Sequence, residues 1–152
     1  MKINISIVIR CLNENDNLKI LIPILQKQTL EEYEIIFVDS GSTDGTLDTI
    51  KDFIKSTNNV YLTHIKKEEF TFGKSLNIGF DKAQGEIVIS LSAHCFPTSE
   101  EWLKNITLPF SNDNIGIVYG KQSPHEYTRF SEASVQEKWF SGESMLKEDI
   151  FL

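Results

Sequence analysis

A chain of 152 residues that is 40% hydrophobic can bury one core and is too short for two ordinary domains. Its formal charge of −7 argues against a nucleic-acid partner, because binding a phosphate backbone needs clustered Lys and Arg, and an anionic small ligand would need a metal or local cations. The two cysteines, Cys11 and Cys95, are too few for a disulfide framework and too far apart for a Cys-x-x-Cys metal knuckle, so free thiols are expected.

The N-terminal run from Met1 to Arg10 is broken by polar residues, unlike a secretory h-region or a membrane span, and this predicts a cytoplasmic protein. Residues Ile5 to Ile9 predict a buried strand. Leu18, Leu21, Ile22 and Leu25 follow at helical spacing behind Asn15-Asp16-Asn17, with Pro23 tolerable only near the first turns. Glu34 to Val38 predict a second buried strand, ending abruptly in Asp39-Ser40-Gly41-Ser42. The alternation continues with helices over 46–57, 73–83 and 99–110 and strands over 60–65, 86–91 and 115–120. This pattern predicts an α/β fold, Rossmann-type, with a mostly parallel sheet flanked by helices on both faces. Ligands of such sheets collect beyond the carboxyl ends of the strands. The loops of interest are therefore 10–16, 40–45, 66–72 and 92–98. Residues 1–120 are expected to form this domain. In 121–152 the pattern fades, and no internal repeat or low-complexity tract is evident.

At the second strand's end, Asp39 places a carboxylate at the mouth of the sheet, followed by small residues that allow close backbone approach. Such a carboxylate can accept the N3–H of uracil or thymine, or the donors of guanine. It can equally cap its own turn, as can Ser42. No Gly-x-Gly-x-x-Gly follows the first strand, which argues against a dinucleotide site. Arg10, at the end of an apolar strand, must meet an anion or stay wet, and a diphosphate or Asp39 would serve. Glu14 suits the first turn of a helix through the dipole as well as it suits a site. Lys74 follows a glycine at a helix start, where a cation and free N–H groups favour an anion. It also fits a solvated helix face.

Ser6-Ile7-Val8-Ile9-Arg10-Cys11-Leu12-Asn13-Glu14, Val38-Asp39-Ser40-Gly41-Ser42-Thr43-Asp44-Gly45-Thr46 and Phe72-Gly73-Lys74-Ser75-Leu76-Asn77-Ile78-Gly79 resemble successive motifs of family 2 glycosyltransferases. Gly85-Glu86-Ile87-Val88 and Leu91-Ser92-Ala93-His94-Cys95-Phe96-Pro97, with Glu101-Trp102-Leu103, continue the match in order. The resemblance covers about residues 4–120 and extends to Tyr119-Gly120-Lys121-Gln122 and Trp139-Phe140. It implies a GT-A-like fold and transfer of a sugar, with inversion, from a nucleotide diphosphate sugar to a glycan or lipid-linked acceptor. A lipid-linked acceptor would bring the chain to the inner face of the membrane as a peripheral protein. The resemblance also implies that Arg10, Cys11, Asn13 and Glu14 line the nucleotide pocket and that Asp39, with the Ser40-Gly41-Ser42 turn, reads the base. Lys74 and Asn77 would reach toward base, ribose or phosphates. Replacement of Asp39 by Ala is expected to leave the fold intact and weaken nucleotide binding.

The family's Asp-x-Asp-like pair, whose last acid binds a divalent ion, is replaced here by Ser92-Ala93-His94. Mg²⁺ prefers carboxylate oxygens and an imidazole suits Mn²⁺ or softer ions, so His94 is either that ligand or a hydrogen-bonded structural residue. Cys11 and Cys95, at the ends of neighbouring strands, are expected to pack, with a soft-metal site shared with His94 as the alternative. His64 and His125 are expected to be ordinary strand and loop residues. Inverting transfer needs a base on the acceptor side. Nothing marks Glu143 or Asp149 for that role, and no base is assigned. Residues 121–152 are expected to begin the acceptor-side region without completing it, leaving Trp139, Phe140, Ile150 and Phe151 to drive self-association. A nucleotide-holding module without transfer activity is the rival reading. A response-regulator domain would want an acidic pair where Arg10 and Cys11 stand.

Overall fold

The computed structural model describes residues 4–124 and the single position Ser134. The expectations placed on His125, Trp139, Phe140, Glu143, Asp149, Ile150 and Phe151 lie outside the described residues.

Strand β1 spans Ile5–Cys11, helix α1 Asn15–Gln26, strand β2 Tyr33–Asp39, helix α2 Thr46–Ser56 and strand β3 Val60–His64. Helix α3 then covers Phe72–Phe80, strand β4 Ile87–Ser92 and helix α4 Trp102–Thr107. The four strands form one parallel sheet in the order β3-β2-β1-β4. Side chains alternate between faces along each strand. Ile5, Ile7, Ile9 and Cys11 of β1 join Ile35 and Phe37 of β2 on the face covered by α1, α2 and α4. Val8, Ile36 and Val38 face the other way, toward Leu76 and Ile78 of α3. The stripe Leu18, Leu21, Ile22 and Leu25 is the buried face of α1, as its helical spacing predicts.

Three local expectations are corrected. Pro23 sits deep inside α1 rather than near its first turns. It lies on the exposed side of the helix, so the carbonyl freed by its missing N–H can turn to water. The predicted helix over 99–110 is α-helical only from Trp102 to Thr107 and tightens into a 3₁₀ turn over Leu108–Ser111. Leu108 keeps α-helical dihedrals and its N–H still bonds the Lys104 carbonyl, but Pro109, next in the chain, has no N–H to continue the α-helical ladder. The predicted strand over 115–120 is irregular, with Ile117 and Tyr119 67% and 74% exposed. A β-branched run becomes a strand only where a ladder partner accepts it, and none is supplied among the described residues. Cover on both faces holds for β1 and β2, whereas on the α3 side of the edge strand β4 Val88 is 40% exposed.

Candidate functional site

Because all four strands run the same way, Arg10, Cys11, Asp39, His64 and Ser92 meet at one edge of the sheet. Asp39 is 1% exposed. Its Oδ2 accepts the backbone N–H of Gly41 at 2.9 Å and of Ser42 at 3.2 Å, and its Oδ1 accepts the Ser42 hydroxyl. Gly41 turns at φ +98°, a conformation that glycine adopts without a Cβ penalty. The turn-capping role foreseen for Asp39 is therefore present, and it preorganises the loop around the carboxylate. Ser42 Oγ also accepts the backbone N–H of Asn13 at 2.9 Å, and Asn13 Oδ1 accepts that of Thr43 at 2.8 Å. Asn13 adopts φ +57°, tolerable for asparagine, and stitches the loop after β1 to the loop after β2.

Asp44 joins the two helices that start here. Its Oδ2 accepts the N–H of Asn15 at 3.1 Å, and its Oδ1 accepts the N–H and hydroxyl of Thr46 at 3.0 and 2.6 Å. The Thr46 hydroxyl bond, helped by the backbone bonds, holds the Asp44 carboxyl below its ordinary value. A folded-state value that is lowered stabilises above the unfolded value, and that contribution is lost as pH falls through the folded one. Asp44→Asn should therefore flatten the acid limb of the stability curve below about pH 4, read as urea midpoints against pH. An unchanged acid limb would remove Asp44 as a contributor.

Cys11 is 2% exposed and packs in the core beneath α1. Burial, followed by the charge of Asp39, pushes its thiol well above the ordinary range. Its contribution to the site is its carbonyl, which accepts the N–H and hydroxyl of Ser40 at 3.0 and 3.1 Å. Packing is thus the role its side chain has, and Cys95 is half-buried against the same core.

Arg10 has no carboxylate partner among the described residues, and the Asp39 pairing is ruled out by alternation. Arg10 lies on the α3 face beside Val38 and Ser92, whereas Asp39 sits across from Cys11 on the other face. The guanidinium instead lies 4.8 Å from the ring centroid of Phe72, which is 71% exposed and meets Phe70 edge-on. Lys74 Nζ pairs with Glu69 Oε2 at 2.8 Å, and Thr71 caps α3 by accepting the Lys74 backbone N–H. Asn77 is exposed on the same helix. The resemblance over Phe72 to Gly79 announces Lys74 and Asn77, but the aromatic partner of Arg10 has no local signal.

His94 Nδ1 lies 3.1 Å from Glu14 Oε1, and its Nε2 lies 3.0 Å from Ser92 Oγ. His64, expected to be an ordinary strand residue, brings Nδ1 to 3.7 Å from Asp39 Oδ2 because β3 pairs with β2 in the register Asp39↔His64. That neighbour depends on register, which local pattern does not encode.

A family model for glycosyl transferase family 2 matches residues 6–150. The chain belongs to this family. Glycosyltransferase AglE of Haloferax volcanii is 27% identical over 149 residues, 96% of this chain and 47% of that relative. The undecaprenyl-phosphate 4-deoxy-4-formamido-L-arabinose transferase of Pseudomonas fluorescens is 29% identical over 130 residues, 83% of this chain and 38% of the relative. Among solved structures, GalNAc-T7 with UDP, GalNAc and Mn²⁺ aligns at TM-score 0.64 and 26% identity, over 74% of this chain and 22% of that one. The chain spans less than half the length of each of these proteins.

The sheet and its helices are those of a GT-A-like domain. Within this family 2 chain, no three His, Cys, Asp or Glu side chains converge as a metal cage among the described residues. No helix among them is long and apolar enough to cross a membrane. An open groove of about 710 Å³, lined in part by Asn4, Ile5, Leu30, Ile87 and Leu108, lies at the opposite end of the sheet, away from these residues.

Proposed function

We propose that the chain is the donor-binding part of a glycosyltransferase that moves a sugar, with inversion, from a nucleotide diphosphate sugar to a glycan or lipid-linked acceptor. The observation that carries the reading is the meeting of Arg10, Glu14, Asp39 and His94 at the carboxyl edge of the sheet in a chain of this family. UDP and GalNAc in the GalNAc-T7 structure and undecaprenyl phosphate in the name of the Pseudomonas relative support donor and acceptor classes. A lipid-linked acceptor of that kind would make the chain a peripheral membrane protein.

In this reading Asp39 and its turn read the base, Asn13 and Glu14 brace the pocket wall, and Arg10 leaves Phe72 for the diphosphate. Lys74 and Asn77, at the start of α3, reach toward ribose or phosphates. The donor set suits a divalent ion that accepts nitrogen: His94 would hold it, with the remaining positions filled by diphosphate oxygens and water. Mn²⁺ accepts such a set more readily than Mg²⁺. When bound, the ion neutralises charge on the departing diphosphate. No residue is assigned as base. The replacement of the acidic pair by Ser92-Ala93-His94 favours one rival, a module that holds nucleotide without transfer.

Thermal shift with UDP, GDP and their sugar conjugates, each with Mn²⁺ or Mg²⁺, tests the site. A ligand at one hundred times its Kd adds about 2.7 kcal/mol, roughly 5 to 10 °C for a chain of this size. No shift with any nucleotide would overturn the reading. His94→Ala should lose most of the metal dependence and His94→Asp recover part of it; unchanged dependence in both makes His94 structural.

A further inference from the structure

Glu14 is held from several directions. Its side chain is 16% exposed while that of His94 is 63% exposed. Its Oε2 accepts Asn17 Nδ2 at 2.6 Å, its backbone N–H is donated to Thr46 Oγ1 at 2.8 Å, and its carbonyl accepts from Leu18. The carboxylate is thus the fixed member of the pair and the imidazole the one that adapts. An ionised carboxylate only accepts, so the His94 nitrogen facing Glu14, Nδ1, must carry the hydrogen. Nε2 then keeps a lone pair. Its neighbour Ser92 has a hydroxyl that can donate to that lone pair and turn away by rotation about one bond. Histidines that ligate metals donate the second ring N–H to a carboxylate in the same way.

We propose that Glu14 is a positioning residue for His94, holding the imidazole in its Nδ1–H tautomer so that Nε2 is offered to a nitrogen-accepting divalent cation arriving with the diphosphate. This rests on the reading of His94 as a ligand. Glu14 then acts through the ring rather than by touching nucleotide, and Ser92 guards the lone pair until the cation takes it. The 80-residue separation between Glu14 and His94 is closed by β1 and β4 lying side by side.

The test uses the chain as it stands. Ring ¹⁵N–¹H correlation spectra of the ligand-free protein should assign His94 as Nδ1–H. Glu14→Gln is nearly isosteric, and its amide either keeps its oxygen for Asn17 and turns its NH2 to the ring or flips to turn the oxygen there. It should give mixed tautomers and weaken Mn²⁺ binding in saturating UDP or GDP, read from the paramagnetic resonance of free Mn²⁺, by about 10- to 100-fold. In a His94→Asp background the same substitution should leave Mn²⁺ affinity unchanged, because a carboxylate has no tautomer to set. An Nε2–H ring in the unsubstituted protein overturns the proposal. Equal weakening in both backgrounds also overturns it, since Glu14 would then act on the ligand directly. Unchanged ring and affinity in Glu14→Gln, beside a His94→Ala that loses the ion, overturns the positioning role alone. A His94→Ala that keeps the ion overturns both that role and the reading beneath it.

Discussion

Asp39→Ala is expected to lose nucleotide and stability together. The carboxylate is 1% exposed and accepts two backbone N–H groups and one hydroxyl of its own loop. Removing it strands the Gly41 and Ser42 donors and frees Ser42, whose hydroxyl also anchors Asn13. Hydrogen bonds to a charged group are each worth about 1.5 to 3 kcal/mol, and the partly exposed loop regains water, so a net loss of about 3 kcal/mol is expected. The expectation that this substitution spares the fold is therefore replaced. Nucleotide affinity should fall by a further 1 to 3 kcal/mol, on the order of a lost charged hydrogen bond. Asp39→Asn separates the effects, because the amide oxygen can still accept the backbone N–H groups while the charge is gone. Calorimetric titration with UDP and GDP on Asp39→Asn, at temperatures where urea melts show it folded, is the measurement. Unchanged affinity there would take Asp39 out of the site.

Gly85→Ala is expected to be the more damaging change to the fold, although it lies at the far end of the sheet from Asp39. A Cβ at Gly85 would come within 2.7 Å of Ile5 C and Ser6 N, main-chain atoms of β1 that cannot swing aside. The same turn carries a buried polar knot. Gly85 donates its N–H to Ser6 Oγ at 2.9 Å, Gln84 donates to Glu34 Oε1 at 2.7 Å, and Ser6 Oγ donates to the same Glu34 oxygen. Glu34 is fully buried, and its Oε2 has no partner among the described residues. Moving the turn to admit a methyl would loosen the bonds that compensate this carboxylate, which is costly in a low-dielectric interior. Overpacking alone costs about 1 to 3 kcal/mol, and the knot places Gly85→Ala at the upper end or beyond, a fall in Tm of roughly 6 to 12 °C. Nucleotide affinity of the folded fraction should not change. A Tm within about 2 °C of the unsubstituted protein, less than 1 kcal/mol on this scale, would mean the turn relaxes freely.

The order of strands and helices was legible in the sequence because hydrophobic period is local: β-branched runs such as Ile5 to Ile9 and the α1 stripe Leu18, Leu21, Ile22 and Leu25 declare their faces without reference to anything distant. Family membership was legible for a related reason, since five motifs in order leave a mark that one motif would not. The carboxyl edge of the sheet followed from parallel topology, and with it the neighbourhood of Arg10, Asp39 and Ser92. What each side chain does at that edge was decided by tertiary structure. Asp39 turned inward to serve its own loop, Arg10 found Phe72 rather than a carboxylate, and His64 reached Asp39 through strand register. The Glu14–His94 contact spans 80 positions and exists only because β1 and β4 are neighbours. The run over 115–120 carries the β-branched pattern of a strand, yet forms no ladder among the described residues. A strand, unlike a helix, satisfies its backbone through a partner elsewhere in the chain, and no local pattern can supply that partner.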